Sequence, residues 1–566
     1  MLEAQERAAN GEEPENPPED GAAAAAAGGT DGKPQEDDPF SKFMREQNGS
    51  GAGANGNGSA SGAGGSSAAA SAAAVVSAAL EKEKEMPPCA VLFCGGTDWA
   101  SLGRRPTEGD VLGPQRLISF PKRIKYVSSG PTACHSVCID VDGGVYTWGR
   151  NDNGCLGHGD LKVRSTPTLV SSLRGTRIKQ ASCGKLHTAL VAENGTLYTM
   201  GGGKLGQLGI GRAVESCTEP KTVHIAGGTC YKVSCGAEFT AVIDSRGRLL
   251  TFGSPQDGQL GAGTTGEFIE KAGKISYDLV LTPSVVSPFI SKDPRTKAVE
   301  ELRGIELADI ACGKSHSVAV ERTPKARVFT WGFGGYGRLG HACQEMEVRP
   351  RVVDALARLT HITVSRVSAG SGSSMAVSSN GHLFYWGKLP NAPRGEATMY
   401  PKIVDDLSNW QVRSVTGSNG ALMVAAETST ISWGASVAGE LGYGEGAAAR
   451  TSTKPKLVEP LEGLTVMQVA MGFGHSLLLA RDDKESASTL KGLRECVPYE
   501  PEDGDGNGGE EEEEEEEEAP PARKKKKTKE PAAASGKPTK SMPSKGRGGS
   551  SKGGAKGAKG KGKAKR

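Results

Sequence analysis

Two kinds of residue in this chain have types and spacings that could do chemistry, glycine clusters and histidines. Two clusters fit the G-x-G-x-x-G pattern: Gly201, Gly203, Gly206 and Gly332, Gly334, Gly337. In a dinucleotide-binding unit this pattern follows a strand and opens a helix whose N-terminus holds a pyrophosphate. No helical pattern follows either cluster, and both recur in phase with a longer repeat. We therefore interpret them as turn glycines that reach positive φ where a side chain would clash.

Four histidines share one repeat position: His135, His187, His316 and His475. A metal site would require these side chains to converge, whereas equivalent positions in an array lie one unit apart. Phe239 and Ser373 occupy the same position in other units, which a ligand position would not allow. We expect a histidine that packs and tethers a backbone carbonyl, and we predict no metal ion.

Other catalytic patterns are missing from the sequence. It contains no Ser-His-Asp order, paired-carboxylate motif, H-E-x-x-H, Walker loop or kinase signature. We predict no catalytic residue and no cofactor, and we expect any activity to be exerted on a protein partner.

A repeat organises the whole chain, and its best copy is WGFGGYGRLGH at 331–341. Further copies occur at 92–104, 146–159, 198–211, 250–263, 384–388 and 431–444. The glycine that marks the phase recurs roughly every 50 residues, with one longer interval before Gly332: Gly95, Gly149, Gly201, Gly253, Gly332, Gly387 and Gly434. A period near 50 residues is typical of a closed array of supersecondary units.

Each unit reads as short antiparallel strands. In the second, a strand ends at Cys183 and Gly184, another starts at His187, and Asn194-Gly195 forms a two-residue turn. Dipeptides ending in glycine fall at the same turn elsewhere, starting at Asp142, Arg246 and Asn380; such pairs are strong hairpin signals. Four short strands fit each unit, so we predict an all-β, seven-bladed β-propeller.

Tryptophans precede several of the marker glycines. We predict packing anchors between blades, each indole N–H needing a buried acceptor: Trp148, Trp331, Trp386 and Trp433. The first unit lacks a C-G-x-x-H half and the last, 469–482, lacks the W-G half. We therefore predict that the two ends pair within one blade, which removes exposed sheet edges.

Composition divides the chain into four parts. Residues 1–88, rich in Ala, Gly, Ser and Glu, are predicted to be a disordered arm. We predict that residues 89–482 form the propeller, with an insertion at 264–304, and that 483–500 form a short helix or linker, with the helix at 484–496. Residues 501–566 are predicted to be a disordered tail, acidic and then basic. Twelve cysteines without a C-x-x-C pair predict reduced core thiols. No secretory signal or membrane span is evident, so we expect an intracellular protein.

The net charge of +2 conceals a strong asymmetry, because residues 523–566 carry 17 Lys or Arg against one acid. The run Arg523, Lys524, Lys525, Lys526 and Lys527 is typical of a nuclear import signal, and the tail as a whole could bind chromatin or DNA phosphates non-specifically. The alternative is a tail that only increases solubility.

Two stretches depart from the repeat and are candidate partner-binding residues. The insertion offers Phe268, Ile269 and Tyr277 as anchors, although it also fits a packed surface loop. The best copy of the repeat carries its own departures in Phe333, Tyr336 and Arg338.

The C-G-x-x-H, W-G and G-x-L-G elements resemble the regulator of chromosome condensation repeat family over about 390 residues. The resemblance implies a propeller that interacts with a small GTPase of the Ras superfamily, as a guanine nucleotide exchange factor or a GTPase scaffold. It also implies links to mitosis and the cell cycle, with locations in the nucleus, on chromosomes or centromeres, and on microtubules of the cytoplasm and cytoskeleton. The alternative is a non-exchanging platform that tethers chromatin or microtubules.

Overall fold

The computed structural model describes residues 89–104, 109–322, 324, 326–388, 390, 396–445, 451–497 and 499. The predicted arm at 1–88 and the tail at 501–566, including Arg523 to Lys527, lie outside the described residues. Within the described ranges the chain folds into seven antiparallel sheets of four blade strands each, which confirms the predicted β-propeller.

The chain enters the ring through two strands of the last blade, and three complete blades follow. The entering strands are β1 (Cys89–Gly95) and β2 (Val111–Leu117). Blade 1 contains β3 (Ile124–Ser128), β4 (His135–Asp140), β5 (Val145–Gly149) and β6 (Arg164–Leu169). Blade 2 contains β7 (Ile178–Cys183), β8 (His187–Ala192), β9 (Leu197–Gly203) and β10 (Val214–Val223). Blade 3 contains β11 (Cys230–Cys235), β12 (Phe239–Asp244), β13 (Leu249–Gly253) and, after a hairpin of β14 (Glu267–Ile269) and β15 (Ile275–Tyr277), β16 (Val280–Val285).

The remaining blades follow the same order, with the first strand of each nearest the axis. After β17 (Phe289–Lys292) and β18 (Val299–Leu302), blade 4 contains β19 (Leu307–Cys312), β20 (His316–Glu321), β21 (Val328–Gly332) and β22 (Glu347–Val352). Blade 5 contains β23 (Val364–Ala369), β24 (Ser373–Ser378), β25 (Leu383–Lys388) and β26 (Ala397–Ile403). Blade 6 contains β27 (Val412–Gly417), β28 (Ala421–Ala426), β29 (Ser429–Ala435) and β30 (Thr451–Leu457). The chain ends the ring with β31 (Val466–Met471) and β32 (His475–Arg481).

Helices are few and short. The α-helices are α1 (Asp354–Ala357) and α2 (Ala487–Gly492), and 3-10 turns occupy Ser171–Leu173, Lys271–Gly273, Gly335–Gly337, Asp405–Leu407 and Glu459–Leu461. Helix α2 is shorter than the predicted 484–496, because the chain beyond it extends alongside β2: Cys496 N–H donates to the Arg116 carbonyl. None of the helices in the described ranges has the length and apolarity needed to span a bilayer.

The two ends of the array close the ring in one blade, as predicted. Blade 7 has the order β2-β1-β32-β31. Strand β1 pairs antiparallel with β32 from Cys89 opposite Arg481 to Gly95 opposite His475. The W-G half supplied by the start of the array is therefore completed by the C-G-x-x-H half supplied by its end.

The ring has two distinct faces. Connections from the first to the second strand and from the third to the fourth strand of each blade lie on one side, here called the histidine face. The two-residue turns between the second and third strands and the connections between blades lie on the other, here called the turn face. The pairings of His187 with Gly201 and of Val191 with Leu197 mark the two ends of blade 2.

In four of the seven blades the histidine of the shared repeat position contacts a hydroxyl group of the next blade. The His187 ring lies over Gly184, where an added Cβ would come within 2.2 Å of the imidazole. Its Nε2 is 3.0 Å from Thr240 Oγ1 in blade 3, and that hydroxyl donates to the Gln207 carbonyl. The same arrangement joins His135 to Thr188, His316 to Ser374 and His475 to Ser136. The main partner is therefore a side-chain hydroxyl of the neighbouring blade, and the predicted carbonyl contact is seen beside it at His316, whose Nε2 lies 3.2 Å from the Ser373 carbonyl.

The W-G and G-x-L-G elements are also connected by a repeated bond. The residue before the aromatic position donates its hydroxyl to a leucine carbonyl nine residues later, as from Thr147 to Leu156 and from Thr330 to Leu339. The Trp331 indole N–H finds its predicted acceptor in the Gln259 carbonyl of blade 3, at 2.8 Å. The Trp386 indole N–H is buried without a protein partner in the described part of the chain. A tryptophan at this repeat position therefore does not require a protein acceptor for its indole N–H.

A ring of polar side chains, here called the girdle, bonds each inner strand to the next. In every blade the third residue of the inner strand, the girdle position, bonds to the inner strand of the next blade: Tyr126, Gln180, Lys232, Asp309, Arg366, Ser414 and Gln468. The side-chain amides of Gln468 and Gln180 each accept from the N–H and donate to the carbonyl of one residue, Val127 and Val233 respectively. Lys232 pairs with Asp309, whose other oxygen accepts the Val367 N–H at 3.2 Å. The girdle thus places a polar side chain at each of the seven joints, and hydroxyl groups two residues later add a second bond at four of them.

The insertion at 264–304 divides into three parts. Strands β14 and β15 form a separate two-stranded hairpin, whereas β16 is the outer strand of blade 3 and belongs to the repeat. Strands β17 and β18 form a second hairpin that extends the outer edge of blade 4. Lys292 attaches this second hairpin to blade 4, because its Nζ lies 2.7 Å from both carboxylate oxygens of the buried Glu347.

All twelve cysteines are unpaired, and nine of them are buried. Cys183, Cys235 and Cys312 end three successive inner strands. Burial raises the pKa of the Cys312 thiol to about 11 and that of Cys235 to about 12. These thiols therefore stay protonated and serve as small apolar core residues, as predicted.

The neutral interior histidines give folding stability a defined pH dependence. Burial lowers the pKa of His187 to about 3 and that of His475 to about 4, whereas an unfolded histidine titrates near 6.5. Between these values only the unfolded chain binds the protons. The free energy of unfolding should therefore decrease as pH falls from about 6.5 toward 4, by up to about 1.4 kcal/mol per pH unit for each such histidine.

The substitution His187→Phe tests this dependence, because Phe239 shows that the same position accepts a phenyl ring over glycine. We expect the slope of unfolding free energy against pH, measured by urea denaturation between pH 6.5 and 4.5, to shrink by about 1.4 kcal/mol per pH unit. His224→Gln at an exposed histidine is the matched control and should leave the slope unchanged. An unaltered slope in His187→Phe would mean that this ring is protonated in the folded chain.

Candidate partner-binding site

The two stretches that depart from the repeat lie on the same face in neighbouring blades. The β14–β15 hairpin belongs to the connection between the third and fourth strands of blade 3, and Phe333, Tyr336 and Arg338 belong to the equivalent connection of blade 4. Both connections are on the histidine face. The structure thus brings the two sets of predicted residues to adjacent sectors of one surface.

The hairpin exposes an apolar surface. Phe268 pairs opposite Ser276 and Ile269 opposite Ile275. The side chains are largely open to solvent, with exposed fractions of 46% for Phe268, 74% for Ile269 and 54% for Ile275. Tyr277 is half-buried at the base of the hairpin. Apolar side chains this open to water, on a hairpin outside the blades, are typical of a contact surface.

The blade 4 connection holds two aromatic rings against a buried arginine. Phe333 and Tyr336 are 42% and 40% exposed, whereas Arg338 is only 6% exposed. The guanidinium carbon of Arg338 lies 4.9 Å from the Phe333 ring centroid and 5.9 Å from that of Tyr336. Cation–π contacts of this kind orient aromatic rings. Arg338 therefore positions the two rings and does not present its own charge to a partner.

Backbone bonds keep Arg338 in place. Its Nη1 donates to the Ser371 carbonyl of blade 5 at 2.8 Å, and its Nε donates to the Gly335 carbonyl at 2.9 Å. Burial lowers the pKa of Arg338, and Asp257 opposes that shift. Tyr336 adopts a left-handed backbone with φ of 59°, and its N–H donates to Gln344 Oε1. Such a conformation is costly for a bulky residue, so surrounding contacts hold the ring outward.

Sequence reasoning missed the neighbouring cleft. Lys388 lies with Nζ 5.7 Å from the Tyr336 ring centroid, and it lines a cleft of about 190 Å³ between blades 5 and 6 together with Tyr385 and Asn419. The copy of the repeat at 384–388 is degraded, and Lys388 directly after its W-G pair was the one available signal. The cleft adds a cation beside the exposed rings.

The glycines of the two G-x-G-x-x-G clusters belong to the framework of the repeat. Gly201 and Gly332 turn the chain at φ of 109° and 98°, opposite His187 and His316. Gly203 and Gly334 are instead crowded, since an added Cβ on Gly334 would lie 1.9 Å from the Glu345 carbonyl oxygen. In the described ranges no group of three or more His, Cys, Asp or Glu side chains could hold a metal ion.

Comparison with known proteins gives these features a family context. A family model described as the RCC1-like domain matches residues 90–478. The chain is 40% identical over 423 residues to the protein RCC2 homolog of Danio rerio, covering 73% of this chain and 84% of that protein. It is 39% identical over 423 residues to protein RCC2 of Homo sapiens, covering 73% and 79%. The motifs at 235–244, 331–341 and 469–477 predict the same likeness, to the second regulator of chromosome condensation (telophase disc protein), and it is confirmed.

Solved structures share the fold at low sequence identity. Human WBSCR16 matches with a TM-score of 0.56 and 19% identity, covering 70% of this chain and all of that chain. Prp20p of Saccharomyces cerevisiae matches with a TM-score of 0.56 and 18% identity, covering 72% of this chain and 95% of that chain, and its structure was described together with its binding properties to Gsp1p and histones. These likenesses establish the architecture alone.

The buried arginine gives a direct test of how the aromatic pair is held. In Arg338→Met the Ser371 and Gly335 carbonyls lose charged donors, so the free energy of unfolding should fall by about 2–3 kcal/mol. Limited proteolysis should cut the connection near Phe333 and Tyr336 faster than in the parent chain. Lys388→Met is the control: its cation also lies beside Tyr336, but its removal should change stability by less than about 0.5 kcal/mol. Equal effects of the two substitutions would contradict the anchoring role.

Proposed function

The chain belongs to the RCC1-like domain family, and from that premise we propose that it is a small-GTPase-interacting propeller. The more specific proposal is a guanine nucleotide exchange factor or GTPase scaffold linked to mitotic chromosomes and the cytoskeleton. Support comes from the likeness to RCC2 proteins over most of the chain. Further support comes from Prp20p, a protein of the same fold that was characterised for binding to Gsp1p and histones.

One structural observation carries the proposal. The histidine face presents exposed apolar and aromatic side chains in two adjacent blades, Ile269 and Phe268 in one and Phe333 and Tyr336 in the other. Other exposed apolar residues of that face in the described ranges, such as Leu161, Val163 and Val437, are aliphatic. Aromatic and apolar anchors are the composition that protein interfaces favour at their centre, whereas a cation such as Lys388 fits their polar rim.

Nucleotide exchange would need no covalent chemistry from this surface. A rigid face that binds the nucleotide-free GTPase more tightly than the loaded one shifts the equilibrium by the difference in affinity. The blades supply the rigidity and the hairpin supplies the protruding contact.

Release of a fluorescent guanine nucleotide from a panel of Ras-superfamily GTPases tests the proposal. We expect the full chain to accelerate release from at least one GTPase and to retain that GTPase in pull-downs. In Phe268→Ser/Ile269→Ser the affinity should fall at least about tenfold, since buried apolar anchors contribute about 1–2 kcal/mol each. Point substitutions are chosen because deleting the whole stretch 264–299 would also remove β16 of blade 3 and β17.

The matched control removes two exposed apolar residues from the turn face, Ile118→Ser/Leu169→Ser, and should leave binding unchanged. If a GTPase is retained but nucleotide release is not accelerated, the exchange hypothesis is wrong and the chain acts as a non-exchanging tethering platform. If no GTPase of the panel is retained, the proposed function is wrong. Equal losses of GTPase affinity in both double variants would show that the hairpin is not part of the binding site.

The basic tail is proposed to attach the protein to chromatin and to direct nuclear import. Truncation at Pro520 removes Arg523 to Lys527 and the later cations. We expect weaker nuclear accumulation and a smaller salt dependence of DNA retention, because fewer phosphate contacts release fewer counterions. GTPase binding should be unaffected, which separates the two activities. Unchanged import and DNA retention would leave the tail with a solubilising role.

A further inference from the structure

The mouth of the central channel on the turn face is surrounded by positive side chains. Six of the seven blades contribute one cation each to this cationic rim: Lys125, Lys179, Arg322, Arg366, Arg413 and Arg481. Blade 3 contributes Tyr231, whose ring is 37% exposed. Each residue lies on or beside the innermost strands, at the ends that face away from the histidine face.

Contacts between neighbouring blades fix these cations in position. The Lys179 Nζ and the Arg322 guanidinium carbon lie 5.8 Å and 5.6 Å from the Tyr231 ring centroid. Arg366 donates to the Arg413 carbonyl. Arg413 donates in turn to the Val466 carbonyl of blade 7 at 2.9 Å and to the Glu427 carbonyl at 3.0 Å. The cations are therefore part of the joints between blades and are held at fixed spacings.

Three of these charges lack a carboxylate partner. Among the described residues, Lys179, Arg366 and Arg413 take part in no ion pair. Burial lowers the pKa of Arg413, and the nearby Arg481 and Arg366 lower it further, while Glu427 opposes the shift. Like charges are thus crowded together without full compensation, which favours the binding of an anion.

The channel narrows away from this mouth. The girdle surrounds the channel beside the rim, with its Lys232–Asp309 ion pair, and Arg366 belongs to both sets. At the histidine face, connections from non-adjacent blades approach each other across the axis, and Ser371 Oγ of blade 5 donates to the Pro131 carbonyl of blade 1 at 3.2 Å. A ligand of the rim therefore approaches from the turn face and sits at the mouth.

Acidic side chains on the same rim indicate which anion fits. Lys125 pairs with Glu193, Arg322 with Glu306 and Arg481 with Asp483. An evenly charged nucleic-acid backbone would bring phosphates against these carboxylates, which costs repulsion. A peptide can place its carboxylates opposite the unpaired cations and neutral residues opposite the acids. We propose that the rim binds an extended acidic peptide segment of a partner protein, with its carboxylates opposite Lys179, Arg366 and Arg413.

Photo-cross-linking of the full chain tests this proposal, because mapping the cross-links separates the rim from the basic tail. The probe is a twelve-residue peptide of alternating Glu and Ser with a central benzoylphenylalanine. We expect cross-links on the segments around Tyr231 and Arg413, in addition to links on the tail. In Lys179→Gln/Arg366→Gln the yield at the rim should fall at least about fivefold, as the loss of two ion pairs predicts, while the tail links persist as an internal standard.

The control Arg174→Gln/Arg246→Gln removes two exposed cations from the same face outside the inner strands, and should leave the rim yield within twofold. Tail links without rim links in the parent chain would overturn the proposal. Equal losses in both variants would reduce it to a general effect of net charge. If an equal concentration of the oligonucleotide dT12 abolishes the cross-links at the rim, the rim binds nucleic acid instead. Thermal unfolding of both variants checks that the ring is intact.

Discussion

Each inner strand of the ring is joined to the next by one polar side chain at the girdle position, and the circular closure of the propeller depends on these seven joints. Apolar packing between blades is not directional, so it would allow neighbouring sheets to slide. The amide of Gln180 bonds both the N–H and the carbonyl of Val233 and so fixes the relative height of blades 2 and 3. Gln468 does the same between blades 7 and 1. Because blade 7 contains both ends of the array, this last joint also ties the start of the ring to its end.

Crowding on the histidine face decides where the repeat can vary. The imidazole of His187 fills the space above Gly184, and its bond to Thr240 connects two blades. Phe239 and Ser373 occupy the histidine position in other blades, whereas the larger departures from the repeat lie in the connections between third and fourth strands. Blade 3 lengthens that connection into a hairpin, and blade 4 replaces regular loop residues by Phe333 and Tyr336. The aromatic pair is itself tied into the next blade, because Arg338 bonds the Ser371 carbonyl.

Elements that use the same residues in every unit could be predicted from the sequence. Asn194-Gly195 and the equivalent dipeptides located the turns, the marker glycines gave the number of blades, and the incomplete first and last units predicted the closure. The girdle could not be predicted, because its seven positions hold Tyr, Gln, Lys, Asp, Arg and Ser, and each choice depends on a neighbour about 50 residues away. The outer strand β16 was hidden for a related reason. Outer strands have few buried positions, and its sequence carries little periodicity. For the candidate site, the exposed aromatic residues were predicted, whereas the burial of Arg338 depends on a carbonyl of the next blade.

The two faces differ in the physical forces that they offer to partners. The surface in blades 3 and 4 is mainly apolar, and contacts of this kind respond weakly to ionic strength. The cationic rim offers charges at fixed positions, and its contacts weaken as salt shortens the screening length. The girdle, which shares only Arg366 with the rim, holds the inner strands at each joint, so a partner on one face would leave the shape of the other unchanged. Two partners on this ring would then bind independently, and coupling between them would have to arise from segments outside the blades.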